Sequence, residues 1–193
     1  MEISEVGAIK INRAATLQPT FVVLHKITGV TLLTMNSDSL HEADLHGAKL
    51  HAAKLTNTNM VGCNLQGADL SEADLTLSDM SFSDLTGADM HSARLVGAVL
   101  STAEMTLANL EGADMRDANL TGADLFGANL RKTQLQGALL YGADLCDADL
   151  ADAILSGARY DATTRWPSST RPTSRGAVLT SERDKRVDGS TIS

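Results

Sequence analysis

The sequence predicts an all-β solenoid, and three observations carry that prediction. A five-residue period runs unbroken from residue 40 to residue 155. That period fits neither an α-helix nor a continuous strand. The chain is also 43% hydrophobic with only 3% aromatic residues, so its core must be built from small and medium aliphatics.

The period comes first, because an overlooked repeat misplaces the whole fold. Every fifth residue from 40 to 155 is Leu or Met, 24 positions in all, with Met at 60, 80, 90, 105 and 115. With this residue called i, position i−2 is Ala in 18 of the 24 repeats and small in five others; Asp38 alone departs. Position i−1 is Asp or Asn in 15, and position i+2 is Gly in 11 of the 24. On an α-helix, residues five apart differ by about 140°, so the leucines would form no apolar stripe. On a continuous strand five is an odd step, and alternate leucines would face water. The pattern works if each pentapeptide is a short extended piece and the chain turns a corner at i+1 and i+2. Residues i−2 and i then share the inner face, and Gly suits the corner because it adopts turn dihedrals at little cost.

Alanine–aspartate/asparagine–leucine units such as Ala113-Asp114-Met115, Gly122-Ala123-Asp124-Leu125 and Gly127-Ala128-Asn129-Leu130 resemble the pentapeptide-repeat family over about 120 of the 193 residues. The resemblance implies a right-handed quadrilateral β-helix with four pentapeptides per square coil. The 24 repeats then make about six coils, a column about 30 Å long at a spacing of about 4.8 Å.

Residues 1–39 break the period and are expected to form an irregular N-terminal cap, either β-rich or a single irregular coil. Their apolar stretch is interrupted by His25, Lys26 and Gly29, too short and too charged for a membrane span, and no signal-peptide pattern is clear. Residues 40–160 form the β-helix. Residues 161–172 are expected to close it. The segment from Gly157 to Pro167 looks like the closing segment of many members of the family, with Tyr160 at the i position and Trp166 over the last coil. Pro167 and Pro172 cannot donate ladder hydrogen bonds and suit a stop. The Ser-, Thr- and Arg-rich residues 173–193 are expected to be a disordered tail.

Charge follows the same zones. The net −8 divides into 0 over residues 1–39, −10 over 40–160 and +2 over 161–193. An acidic column is a poor direct binder of nucleic acid. Two cysteines exclude a disulfide scaffold and a four-ligand zinc module. With four repeats per coil, outward positions sort by face. One face carries Asp44, Asp84, Glu104, Asp124, Asp144 and Asp147 and, over repeats 45 to 145, no Lys or Arg. Two readings of it stand. Asp or Asn at i−1 can cap local turn amides. Alternatively, since some pentapeptide-repeat proteins are DNA mimics that occupy the DNA-binding surface of type II topoisomerases, the resemblance makes this stripe a candidate mimic surface. Its carboxylates recur only about every 4.8 Å, against one duplex charge per about 1.7 Å, and the central leucines replace the Phe often seen in the best-known mimics.

A second face is nearly uncharged and displays Val61, Phe82, Val99, Leu139 and Tyr141, a candidate apolar docking patch or a set of isolated surface apolars. Leu107 and Phe126 on adjacent coils are a smaller version of the same idea. Cys63, at i−2, reads as a core filler. Cys146 reads as an exposed thiol about 19 Å away, beyond disulfide reach. His41, His46 and His51 fall on three different faces, and only His51 and His91 share one, about 10 Å apart, so no metal site is expected. A core packed with Leu and Ala leaves no cleft, and no catalytic residues and no cofactor are expected. The expected protein is a soluble cytoplasmic, non-catalytic interaction scaffold with an unidentified protein partner and no membrane contact. The alternative is a gyrase- or topoisomerase IV-directed DNA mimic. A terminal cap offers a surface for a homodimer.

Overall fold

Each pentapeptide turns a corner, and the corners have one geometry. The amide of residue i+3 donates to the carbonyl of residue i, as from Ala93 to Met90 at 3.0 Å and Ala98 to Leu95 at 3.0 Å. In a computed structural model describing residues 21–35 and 39–181, all 24 residues at i+2 have positive φ, from +52° to +74°. An i-to-i+3 bond with a left-handed third residue is the mark of a type II turn. Eleven of these residues are Gly and thirteen are not. A side-chain-bearing residue there costs about 1 kcal/mol. The coil-to-coil bonding must therefore outweigh that cost at more than half of the corners.

That bonding is dense. From Asp44 to Leu139 every rung pairs in parallel with the rung twenty residues on, for example Asp74↔Arg94↔Asp114. Three amides per repeat reach a neighbouring coil: Leu95 donates to Asp114 at 2.7 Å, Gly97 to Arg116 at 2.9 Å, and Arg94 back to Ala73 at 2.9 Å. The twenty-residue step is four pentapeptides per coil, and the chain is a right-handed quadrilateral β-helix. All 24 central Leu and Met residues are buried. From Cys63 onward every i−2 residue is buried as well. Where that residue is polar, it bonds to a carbonyl of the wall: Ser78 Oγ to Leu75 O at 2.7 Å, Ser83 Oγ to Met80 O at 2.6 Å, Thr133 Oγ1 to Leu110 O at 3.0 Å. Buried hydroxyls are tolerated only on such terms.

The N-terminal segment, expected as either a β-rich cap or an irregular coil, contains a hairpin. Strand β1 (Phe21–His25) pairs antiparallel with β2 (Thr31–Met35) and, on its other edge, antiparallel with β3 (Ala53–Lys54) in the first coil. Val23 enters the core cluster, and Phe21, Leu32, Leu33 and Met35 pack against it. Residues 1–20 and 36–38 of that cap lie outside the described residues.

At the other end the expected outline needs correction. Tyr160 is only half-buried, and Trp166 packs edge-on against it with ring centroids 5.4 Å apart. The expected disorder from residue 173 does not hold over 173–181. A 3-10 helix (Pro172–Arg175) ends at Gly176 with φ 81°, and β5 (Val178–Leu179) returns to pair in parallel with β4 (Arg159–Tyr160). Pro172 and Gly176 steer the turn. Arg175 Nη1 donates to Leu150 O at 2.7 Å and ties the return to the column. The Ser/Thr/Arg composition concealed a segment whose ordering comes from backbone pairing rather than apolar content. Residues 182–193 of the expected tail lie outside the described residues.

The inward column gives a direct test. Leu95 has no exposed surface. Leu95→Ala should cost about 2–5 kcal/mol in chemical denaturation, the range for a buried Leu truncation. Leu95→Asp should leave no cooperative transition, because it buries an unpaired charge. An unchanged denaturation midpoint for either variant would contradict the inward assignment.

Candidate functional site

The i−1 positions form ladders down each face, because successive coils stack in register. The acidic candidates Asp44, Asp84, Glu104, Asp124 and Asp144 lie on one ladder, interrupted by Asn64, as Asp44↔Asn64↔Asp84↔Glu104↔Asp124↔Asp144. Asp147 is off the ladder. It is exposed at the adjoining corner, with φ 59°. The ladder's next rung is Arg165, which bridges to Asp144 in the backbone, and its guanidinium Nη1 donates to Asp144 Oδ2. The face is therefore not free of basic residues to its end. The cause is a one-residue slip. Rungs pair at i+20 up to Leu139↔Arg159, but Asp144 pairs with Arg165, so the turn at 161–164 holds one extra residue. Asp161 Oδ1 organises that turn, accepting from Thr163 N at 2.9 Å, Thr164 N at 3.1 Å and Gly142 N at 3.2 Å.

The ladder carboxylates also do structural work. Oδ1 of Asp44, Asp84, Asp124 and Asp144 accepts from the amide two residues on, at 3.3, 2.9, 2.9 and 3.0 Å. Asn64 does the same for Gln66 at 3.2 Å and donates to Asp44 Oδ1 at 2.9 Å. These are Asx turns, which explains the Asp/Asn column on every face. A neighbouring face extends the motif into a side-chain ladder: Asn109 Nδ2 to Asp89 Oδ1 and Asn129 Nδ2 to Asn109 Oδ1, both 3.0 Å.

Several carboxylates elsewhere are neutralised. Asp114 pairs with Arg116 at 2.7 Å, Asp149 with Arg131 and Glu111 with Lys132 at 3.2 Å, and Asp74 with Arg94 at 3.9 Å. Among the described residues no such pair reaches Asp84, Glu104 or Asp124. The Ser71 hydroxyl beside Asp69 holds its carboxyl below the usual range. Burial pushes Asp74 up, but the Thr76 hydroxyl and amide and Arg94 outweigh it and leave it lowered. The Arg116 guanidinium lowers Asp114.

The apolar candidates do not form one patch. Phe82 is 69% exposed, whereas Val61, Val99 and Leu139 are half-buried. Tyr141 is 2% exposed and cannot dock a partner. It adjoins Gly142, whose amide is held by the turn at 161–164, so the extra residue there accompanies a closed wall rather than an open face. Two other features stand out. Leu107 is 65% exposed and Phe126 41%, and Leu107 N donates to Phe126 O at 2.9 Å. Leu77, 60% exposed, was missed by sequence reasoning. Its signal was available, since Leu77, Phe82 and Leu107 are the only large apolar residues in the i+2 column.

The remaining candidates are spatially separate. Cys63 is buried, its Sγ 2.7 Å from Leu40 O, and burial raises its thiol. Cys146 is half-buried, and its thiol is raised by Asp144. His51 Nδ1 meets Ser71 Oγ and His91 Nδ1 meets Asp89 Oδ1, both at 2.9 Å. The pairing of His25 with His51, ring centroids 6.3 Å apart, was not legible, because it depends on where the hairpin docks. Among the described residues no three His, Cys, Asp or Glu side chains group as metal ligands. No helix among them is long and apolar enough to cross a membrane.

The family described as pentapeptide repeats matches the chain in eight copies, covering residues 43–81, 63–101, 83–122, 103–140 and 128–159. Similar solved structures include the pentapeptide repeat protein Rfr23 from the cyanobacterium Cyanothece 51142. It is 30% identical over 65% of this chain and 88% of that one, with a TM-score of 0.49. HetL from Nostoc sp. strain PCC 7120, a pentapeptide repeat protein involved in heterocyst differentiation regulation, is 26% identical over 70% and 80%, with a TM-score of 0.42. Trypsin-treated QnrB1, a plasmid-mediated fluoroquinolone resistance protein, is 21% identical over 77% and 85%, with a TM-score of 0.35. No curated protein matches the chain.

The lowered carboxylates set a pH dependence. For Asp69, Asp74 and Asp114 the folded pKa lies below the ordinary 3.8. Their contribution is present above that value and is lost as pH falls through the lower folded values. Melting temperature should hold from pH 7 to about 5 and drop below about 4. Asp114→Asn keeps the turn acceptor but removes the charge. It should melt below wild type at pH 7, with the gap closing below about pH 3. A gap that stays constant across that range would remove the charge from the explanation.

Proposed function

The chain belongs to the pentapeptide-repeat family, and we propose that it acts without catalysis, as a rigid protein-interaction scaffold binding through the outer faces of its β-helix. The observation that carries this reading is the division of labour within each repeat. Positions i and i−2 fill the column from end to end, as Leu, Met, Ala and other small residues, all 24 central residues being buried. Chemical variety lies mainly at i−1, i+1 and i+2, most of which face outward, with buried exceptions such as Tyr141, Ser71 and Ser81. Side chains projecting from stacked rungs form lines and ridges on a convex wall, a shape suited to a protein surface more than to a small substrate. We place the protein in the cytoplasm on the same reading.

A second reading, a DNA mimic that binds gyrase or topoisomerase IV, draws on the un-neutralised rungs Asp84, Glu104 and Asp124. Two observations weigh against it. The Oδ1 atoms of Asp84 and Asp124 are committed to turn amides, and Arg165 neutralises the end of the ladder at Asp144.

Capture experiments with purified wild type and variants altered one face at a time test the first reading. A specific partner should be lost with one face while melting temperature is unchanged. Retention of every captured protein by every face variant would oppose it, as would substrate turnover that disappears on changing a titratable surface residue. A supercoiling assay tests the second: no inhibition or drug protection at tens of micromolar would end it.

A further inference from the structure

We propose that the corner formed by Leu107 and Phe126, with the acidic ladder beside it, docks a protein segment that carries a large apolar side chain flanked by lysine or arginine. This rests on the interaction-scaffold reading and names its surface and partner class.

The corner is the place on the column where two exposed large apolar side chains meet in register. Leu107 is the third residue of its turn, and Phe126 is the second residue of the turn one coil on. The hydrogen bond from Leu107 N to Phe126 O fixes them side by side. Leu107 leans along the corner toward that coil: a Cβ placed on Gly127 would come within 2.9 Å of Leu107 Cδ2. Gly127 thus leaves the space that Leu107 covers. The other two large apolar residues of that column do not meet a second exposed apolar side chain in this way. The amide of Phe82 donates to Ser101 O at 3.1 Å. Leu77 leans over Gly97 in the same manner and its amide donates to Val96 O at 3.0 Å, but Val96 is smaller and half-buried, and the rungs beside that corner, Asp74 and Arg94, pair with each other. Leu107 is also a bulky residue at φ 58°, where Gly would sit without strain, and 65% of it faces solvent. Folding gains little from it there.

Charge complementarity selects the partner. Glu104 lies three residues before Leu107 and Asp124 two before Phe126. Asp124 Oδ1 accepts from the Phe126 amide at 2.9 Å, which holds the carboxylate and the ring in a fixed relation. Asp84 continues the ladder on one side, and Asp147 stands exposed in the same corner column as Leu107. Among the described residues none of these four forms an ion pair. The face on the far side of the corner presents neutral Asn109 and Asn129. A segment crossing here meets an apolar ridge with negative charge along one flank, on a backbone bonded to both neighbouring coils and therefore ordered before binding.

The test uses the full chain and two labelled twelve-residue peptides, one alternating lysine and leucine, the other with every leucine replaced by serine. Fluorescence anisotropy should show the leucine peptide binding at least about tenfold tighter than the serine peptide. Leu107→Gly with Phe126→Ser should weaken it at least about tenfold. Glu104→Gln with Asp124→Asn should weaken it and flatten its salt dependence. Leu77→Ser, on another corner, should bind as wild type does. Leu107→Gly alone should leave the melting temperature equal or higher. Equal binding of the two peptides would overturn the proposal, as would wild-type binding by the Leu107/Phe126 variant or a lowered melting temperature for Leu107→Gly. Capture separates this failure from failure of the scaffold reading. If a partner is kept by the Leu107/Phe126 variant but lost when another face is altered, the scaffold reading survives and this corner does not. If neither peptide binds and no face variant loses a partner, both fall.

Discussion

The column depends on one backbone requirement: the third residue of every turn sits in the left-handed region. All 24 repeats meet it, 13 of them with a side chain that disfavours it. The requirement is imposed from outside the turn. Each coil offers its neighbours three amide bonds per repeat, and those bonds form only if the corner leaves the next extended piece at the same height and heading. The cost of a strained corner is local, whereas the bonds it permits run along the whole stack. This is why the sequence can place Leu, Phe, Lys or Asp at a position where Gly is the cheapest choice, and why such departures carry information.

Inward positions were the most legible in the sequence. Leu or Met at i and a small residue at i−2 are set by the fixed bore of a square coil, and bore and period together also fix which outward residues stack. The i-to-i+20 pairing of Asp44 with Asn64 and of Asp124 with Asp144 follows from that register alone. Where prediction failed, a non-repeating contact had intervened. Tyr141 occupies a position that reads as exposed, yet it is buried in a wall beside the turn at 161–164. Arg165 lies in the segment expected only to close the column, yet the extra residue in that turn delivers it onto Asp144. The return of β5 onto β4 and the docking of β1 on β3 are pairings between distant segments of unlike composition. A local reading of periodicity does not record them.

The acidic face shows why residue type alone is a poor guide to function in a repeat protein. Aspartate at i−1 is present on all four faces because its Oδ1 bonds to the amide two residues on, and asparagine serves the same purpose at Asn64, Asn109 and Asn129. A column of carboxylates is therefore first a column of turn caps. What distinguishes the Asp84–Glu104–Asp124 stretch is its environment. Asp74, Asp114, Asp149 and Asp144 have acquired Arg94, Arg116, Arg131 and Arg165 as partners, whereas Asp84, Glu104 and Asp124 are three consecutive acidic rungs of one ladder with no ion pair among the described residues. Glu104 sharpens the point, since among the described residues its longer side chain makes no turn-capping bond on the ladder.

Function in such a molecule is best sought where a residue departs from what the coil requires and the fold does not explain the departure. Ser78, Ser83 and Thr133 depart from Ala at i−2, but their hydroxyls bond to wall carbonyls, so the fold accounts for them. Asp117 departs from Gly at i+2, but Asp tolerates the left-handed region better than most residues. Leu107 has neither explanation: its conformation is unfavourable for its type, its side chain is largely solvated, and its one close companion is another exposed apolar residue. Phe82 shares the first two properties and lacks the third. An isolated apolar side chain on a convex wall buries little area in any partner, whereas two adjoining ones beside fixed, un-neutralised carboxylates combine apolar and electrostatic recognition on a surface that needs no reordering. That difference in neighbourhood, rather than any difference in residue type, singles out one corner of an otherwise repetitive column.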